Sequence, residues 1–132
     1  MRLNEIVPHG ISEVWSNNDY SISIDDIDDA NTATVWFKGK NIGQLTTRGK
    51  VPDPLFNEYI LADKVEILPQ HRNKGIGTEL FRQLLKHLSK KYKGIVVYLP
   101  DVVNKKQIPS IFNKLDAKIV NDDYIIISKT VI

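Results

Sequence analysis

Cysteine is absent from all 132 residues, and that one absence removes disulfides, zinc ribbons and a cysteine nucleophile together. Long apolar runs are missing as well. The longest, residues 95–99 (IVVYL) and 124–127 (YIII), fall far short of the roughly 20 residues that span a bilayer as a helix. The first ten residues, MRLNEIVPHG, contain no apolar segment of the kind a secretory signal carries, so the expectation is a soluble, cytoplasmic protein with no membrane partner. Charge of one sign is also lacking. Eighteen basic residues against sixteen acidic leave a net +2, too little to make nucleic acid the expected partner. His9, His71 and His87 have no companions at metal-ligand spacing, so no metal is expected. There are no repeats and no Gly/Ser or Pro-rich linkers. What remains is ordinary globular composition, 42% hydrophobic and 26% charged, in a chain long enough for one domain over residues 1–132 to bury about two-thirds of its unfolded surface.

Hydrophobic periodicity orders the chain. Residues 20–27 (YSISIDDI) alternate apolar and polar as a half-buried strand does, and DDANT follows as a turn. A second strand, 32–38, carries Val35 and Phe37 on one face and Trp36 on the other, and 42–47 returns after a turn at 39–41. Gly43 inside that return strand is costly unless a neighbouring backbone approaches closely. Pro52 and Pro54 make the next loop irregular. Residues 59–68 form a central strand that stops at Pro69. From 76 to 92 the apolar residues Ile76, Leu80, Phe81, Leu84, Leu85, Leu88 and Tyr92 trace one helical stripe. Gly94 reads as a helix stop, 94–99 as a buried strand, 109–115 as a short helix and 124–129 as a closing strand. In the N-terminal arm, 1–18, Ile11, Val14 and Trp15 suit one face of a short helix. The result is a mixed α/β domain.

Chemistry concentrates in one stretch, VEILPQHRNKGIGT over residues 65–78. A buried strand ends at a proline, a basic loop follows, and Gly75 and Gly77 open an amphipathic helix. The first turn of a helix has N–H groups without intrahelical partners, and the macrodipole adds positive potential there. Glycines let a phosphate come close to that backbone, and Arg72 and Lys74 add formal charge beside it. A glycine turn between strand and helix is common by itself. The pattern is not a P-loop, and Leu80 stands where a dinucleotide fingerprint needs its third glycine.

The whole string V-x-I-x-P-x-x-R-x-x-G-I-G-x-x-L resembles motif A of the GCN5-related N-acetyltransferase (GNAT) superfamily. Arg72, Gly75 and Gly77 form its R-x-x-G-x-G core, and Val65, Ile67 and Pro69 match the preceding strand. Residues 40–43 (KNIG) resemble the family's second hairpin strand, and 94–99 and 108–120 its fifth strand and final helix. Residues 32–129 follow the family's order of elements. The resemblance implies a mixed, mostly antiparallel sheet flanked by helices, with acetyl-CoA as cofactor. Arg72, Asn73, Lys74, Gly75, Ile76, Gly77 and Thr78 would hold its pyrophosphate, and the backbone of Glu66, Ile67 and Leu68 would pair with the pantetheine arm. A substrate amine would attack the thioester directly, with a backbone N–H from residues 65–67 stabilising the oxyanion.

The resemblance leaves the acid and base open. Members often carry a tyrosine on the final helix, and Phe112 stands at that position. Tyr98 is the substitute acid. Glu66 and Asp63, with Glu58 beside them, are the candidate bases. Asn104 resembles an asparagine found before the final helix and joins the cofactor set. The family's two helices between its first two strands have no room in residues 25–34, so they are expected to be abbreviated or absent. An open acceptor side fits a protein or peptide amine, or a wall lent by a second subunit in a homodimer. The competing reading is a catalytically inactive GNAT-like module that binds or inhibits a protein partner, consistent with Phe112.

Overall fold

A computed structural model describes residues 12–51, 53–71, 74–98, 114–120 and 123–128. They form one eight-stranded sheet in the order β1-β2-β3-β4-β5-β6-β8-β7. The strands are β1 (Ser12–Ser16), β2 (Tyr20–Ile27), β3 (Ala30–Phe37), β4 (Lys40–Arg48), β5 (Tyr59–Ile67), β6 (Gly94–Tyr98), β7 (Lys118–Val120) and β8 (Tyr124–Ser128), with one helix, α1 (Ile76–Leu88), between β5 and β6. Every strand pair is antiparallel except β5 with β6. That parallel pair needs a crossover, and α1 supplies it.

Turn chemistry sets the first four strands. Asn17 accepts from the backbone N–H groups of Asp19 and Tyr20 at 2.9 and 2.7 Å, folding β1 back along β2. Asp28 and Asp29 both take positive φ, 51° and 64°, as do Lys38 and Gly39 at 51° and 80°. Two such residues in succession give the tight hairpin turn whose twist matches the flanking strands. No helix fits in either connection. The abbreviation expected between the early strands is complete among the described residues, and the sheet is the mixed, mostly antiparallel one that the resemblance implies.

Three expectations need correction. Residues 12–16 form the edge strand of the sheet, not a helix. Only Trp15 of that segment packs on the core, and Val14 is exposed, an alternation that suits a strand. The helix ends at Leu88 rather than running to Tyr92. Ser89 donates to the Lys86 carbonyl at 2.9 Å, and the N–H groups of Lys91 and Tyr92 both turn back to Leu88, closing the helix while Tyr92 still packs against the core. A short strand at 118–120 was not anticipated. The helix expected over 109–115 lies outside the described residues except at its end, where Leu115 is fully buried.

The main core lies between α1 and one face of the sheet. The predicted stripe of Ile76, Leu80, Phe81, Leu84, Leu85 and Leu88 meets Ile22, Val35, Leu45, Ile60, Ile95 and Ile127. A smaller cluster on the opposite face joins Val51, Phe56 and Val96 to Tyr59, Leu61, Val120, Tyr124 and Ile126. The loop between β4 and β5 covers it, with its 3-10 turn Pro54–Phe56 capped by the Asp53 carboxylate, which accepts from the Leu55 N–H at 3.0 Å.

Candidate active site

β5 leads directly into the site. Beyond its last residue the Leu68 N–H donates to the Ile42 carbonyl of β4 at 2.8 Å. Successive backbone groups in a strand alternate sides, so Glu66 also faces β4, whereas Val65 and Ile67 direct their N–H and C=O groups toward the β6 side. On that side the ladder is short. It pairs Tyr59, Ile60, Leu61 and Ala62 with Gly94, Ile95, Val96 and Val97, and β5 then runs on through Asp63 to Ile67. Among the described residues β6 ends at Tyr98, one residue past the last pair, and the ladder stops at Ala62, short of the length where the resemblance would lay the cofactor's pantetheine arm.

Past Pro69 the chain makes one 3-10 turn, Pro69–His71, closed by the His71 N–H on the Leu68 carbonyl at 3.0 Å. Gly75 then opens α1 in the left-handed region at φ 78°, with no side-chain cap on the first turn. Among the described residues a Cβ on Gly75 would meet nothing within 4 Å. Lys74 is exposed beside it, and Ile76, Gly77 and Thr78 are buried. The first-turn acid, Glu79, is drawn along the helix by Arg82 at 3.0 Å and Gln83 at 2.8 Å, which offsets its repulsion of an anion. Lys74, Gly75 and Gly77 thus stand together at the start of α1. Arg72, Asn73, Asn104 and Phe112 lie outside the described residues.

The catalytic candidates separate by position. Glu66 points to the sheet face opposite α1 and pairs with Lys64 at 3.4 Å, whose ammonium also reaches Gln44 at 3.5 Å. Together with Asn41, Gly43 and Leu68 these residues line a depression of about 240 Å³. Tyr98, at the end of β6, stacks on Tyr124 with ring centroids 5.2 Å apart. Tyr124 in turn meets Phe56 at 5.0 Å, which places Tyr98 on the same face as Glu66. Asp63 is an exposed residue at a bulge, since Ala62 pairs with Thr47 and Lys64 with Thr46. Glu58 sits at the opposite end of β5, bound to Lys93 at 2.7 Å, away from this face. Glu66 and Tyr98 are the two that the fold brings to one face of the sheet, on neighbouring strands.

Sequence reasoning missed the surroundings of His71. Its ring lies 4.7 Å from Phe37 and edge-on to Tyr20 at 5.7 Å, and its Nδ1 is 2.9 Å from the Tyr20 hydroxyl. Nothing in the local sequence signals a contact between residues 51 positions apart. Gly43 was legible. A Cβ there would lie 2.9 Å from the Glu66 carbonyl oxygen and 3.0 Å from Ile67, so β4 and β5 can approach closely only with glycine at this position.

The profile of the acetyltransferase (GNAT) family matches residues 3–111. The chain belongs to this family. No curated protein matches it in sequence, but solved structures share its GNAT fold. The PaiA N-acetyltransferase of Thermoplasma acidophilum, solved with coenzyme A, superposes with a TM-score of 0.57 at 17% identity, over 74% of this chain and 59% of that one. The chain therefore spans less than two-thirds of that enzyme. A streptothricin acetyltransferase assigned in Bacillus anthracis, solved with acetyl coenzyme A, gives 0.57 at 16% identity over 77% and 61%. RimL, an acetyltransferase of the ribosomal protein L7/L12 α-amino group, gives 0.59 at 9% identity over 91% and 96%. Among the described residues of this GNAT chain no helix is long and apolar enough to cross a membrane, and no three acidic, histidine or cysteine side chains converge as a metal site.

Proposed function

We propose that this protein is an acetyl-CoA-dependent N-acetyltransferase acting on a primary amine, presented by a protein or peptide rather than by a small enclosed molecule. One observation carries the donor half: β5 continues to Ile67 beyond its last ladder pair with β6, and the helix that follows opens on left-handed Gly75 with no side-chain cap. The uncapped first turn at Gly75 suits a pyrophosphate, and the β6-facing backbone at Val65 suits an extended amide-bearing arm. Gly75, Ile76, Gly77 and Thr78 would hold the phosphates through the first turn of α1, with Arg72, Asn73 and Lys74 adding charge and donors. When bound, acetyl-CoA supplies an acetyl group activated as a thioester.

The chain's own residues do the rest. The backbone N–H of Val65, directed to the β6 side, would meet the negative charge that develops on the acetyl oxygen. Glu66, held over the depression by Lys64, accepts the acceptor's proton through water, leaving the amine lone pair free to attack. Tyr98 stands opposite as the donor for the leaving thiolate, the role Phe112 lacks the hydroxyl to perform. Short connections on the β1–β3 side leave the acceptor face without helices among the described residues. That openness supports a macromolecular acceptor or a wall lent by a second copy.

Incubation with labelled acetyl-CoA and a panel of peptides with free α-amino and lysine groups, alongside small amines, tests the reading. Acetyl transfer to peptides in preference to free amines is the expected result. Cofactor binding without transfer to any acceptor would leave the inactive, partner-binding module, which Phe112 favours.

A further inference from the structure

We infer that Tyr20 is a positioning residue for the cofactor, acting through His71 to fix the loop that leads into α1. The inference rests on the cofactor reading of residues 69–78. β2 lies beyond β3 and β4 from β5 in the sheet, yet its first residue reaches the loop through the hydrogen bond between the Tyr20 hydroxyl and His71 Nδ1 at 2.9 Å. The arrangement is built from both ends. Tyr20 is only 8% exposed. Its N–H donates to the Asn17 side chain at 2.7 Å, and its carbonyl accepts from the Asn17 N–H at 2.8 Å. Its ring rests 5.1 Å from Phe37, the residue it faces across the β2–β3 ladder, and Phe37 also supports the His71 ring.

His71 is the last residue of the 3-10 turn and comes four residues before Gly75. Holding its ring therefore restrains the start of the segment whose backbone must face the phosphates. A loop ordered before binding does not lose that entropy when the ligand arrives, so affinity rises without a new ligand contact. Burial, with the Asp19 charge nearby, pushes the Tyr20 hydroxyl's ionisation up, and the hydroxyl stays protonated and able to donate. With the hydroxyl as donor, His71 Nδ1 is the acceptor and the ring proton belongs on Nε2.

Tyr20→Phe removes the hydroxyl and keeps the ring. We expect faster amide hydrogen exchange at His71 and at residues 74–77 of the free protein, with exchange at 84–88 and in β3 and β4 unchanged. The Kd for acetyl-CoA should rise about two- to tenfold, the size of one lost hydrogen bond, with little change in Tm. His71→Asn returns an acceptor near the Nδ1 position and should bind more tightly than His71→Ala. Adding Tyr20→Phe to His71→Ala should cost nothing further, because both break one link. Unchanged exchange and Kd in Tyr20→Phe would overturn the inference. So would exchange that rises throughout the sheet with a falling Tm, which would mark a merely structural role. If the wild-type protein fails to bind acetyl-CoA, the cofactor reading falls and the positioning role with it. If wild type binds and Tyr20→Phe binds equally well, only the positioning role falls.

Discussion

Replacing Glu66 by Gln should lower kcat for acetyl transfer by about 100-fold or more, the usual contribution of a positioned general base, while the Kd for acetyl-CoA stays close to that of wild type. The split follows from where the side chain points. The Glu66 backbone belongs to the β4 ladder and its carboxylate to the depression with Lys64 and Gln44, so the substitution leaves the cradle at Gly75 untouched. Glutamine keeps the size and the hydrogen bonding to Lys64 but cannot take a proton. The deficit should shrink as pH rises, since more of the acceptor amine is then already deprotonated. Steady-state kinetics across pH, with calorimetric titration of acetyl-CoA, measures both halves. A kcat within about threefold of wild type, against the 100-fold expected of a base, would remove Glu66 from the role. A matching loss in cofactor binding would mean that the substitution has disturbed β5 itself.

A methyl group added at Gly94 should destabilise the protein by about 3 kcal/mol, the upper end of the usual cost of overpacking. At this chain length that corresponds to a fall in Tm of roughly 10 °C. A Cβ there would lie 2.1 Å from the Ile127 carbonyl oxygen and 3.0 Å from the Ser128 Cα. Both are backbone atoms of β8, so no side chain can swing aside. The β6–β8 ladder must shift, and β6 carries Tyr98 at its other end. Gly39→Ala is the contrast. Its Cβ meets nothing within 4 Å, and it suffers only the strain of φ +80°, about 1–2 kcal/mol. Thermal unfolding of the two variants ranks them, and equal losses would contradict the steric account of Gly94.

Local sequence carried most of the fold. The stripe from Ile76 to Leu88 and the alternation in residues 20–27 each reflect one element meeting one core face, which is why periodicity finds them. Motif A was legible for a related reason: strand, proline, basic loop and glycines are consecutive, and the physics of a helix N-terminus acts over one turn. The misses are non-local. Gly94 reads as a helix stop in sequence, but its structural demand comes from β8, more than thirty residues later. The strand nature of 12–16 depends on pairing with β2, because five residues with two inward-facing candidates suit either period. The loop packing of His71 depends on Tyr20 and Phe37 arriving from the far hairpin. Among the catalytic candidates, only topology separates Glu66 and Tyr98, on one face, from Glu58, tied to Lys93 at the other end of its strand.

The central claim is that residues 65–78 form an acyl-CoA cradle, and thermal unfolding with and without acetyl-CoA tests it most directly. At a hundred times its Kd the cofactor should stabilise the fold by about 2.7 kcal/mol and raise Tm accordingly. Pantetheine alone, which lacks the phosphates that the first turn of α1 would hold, should give a much smaller shift. An unchanged Tm at millimolar acetyl-CoA, or an equal shift with pantetheine, would contradict the account.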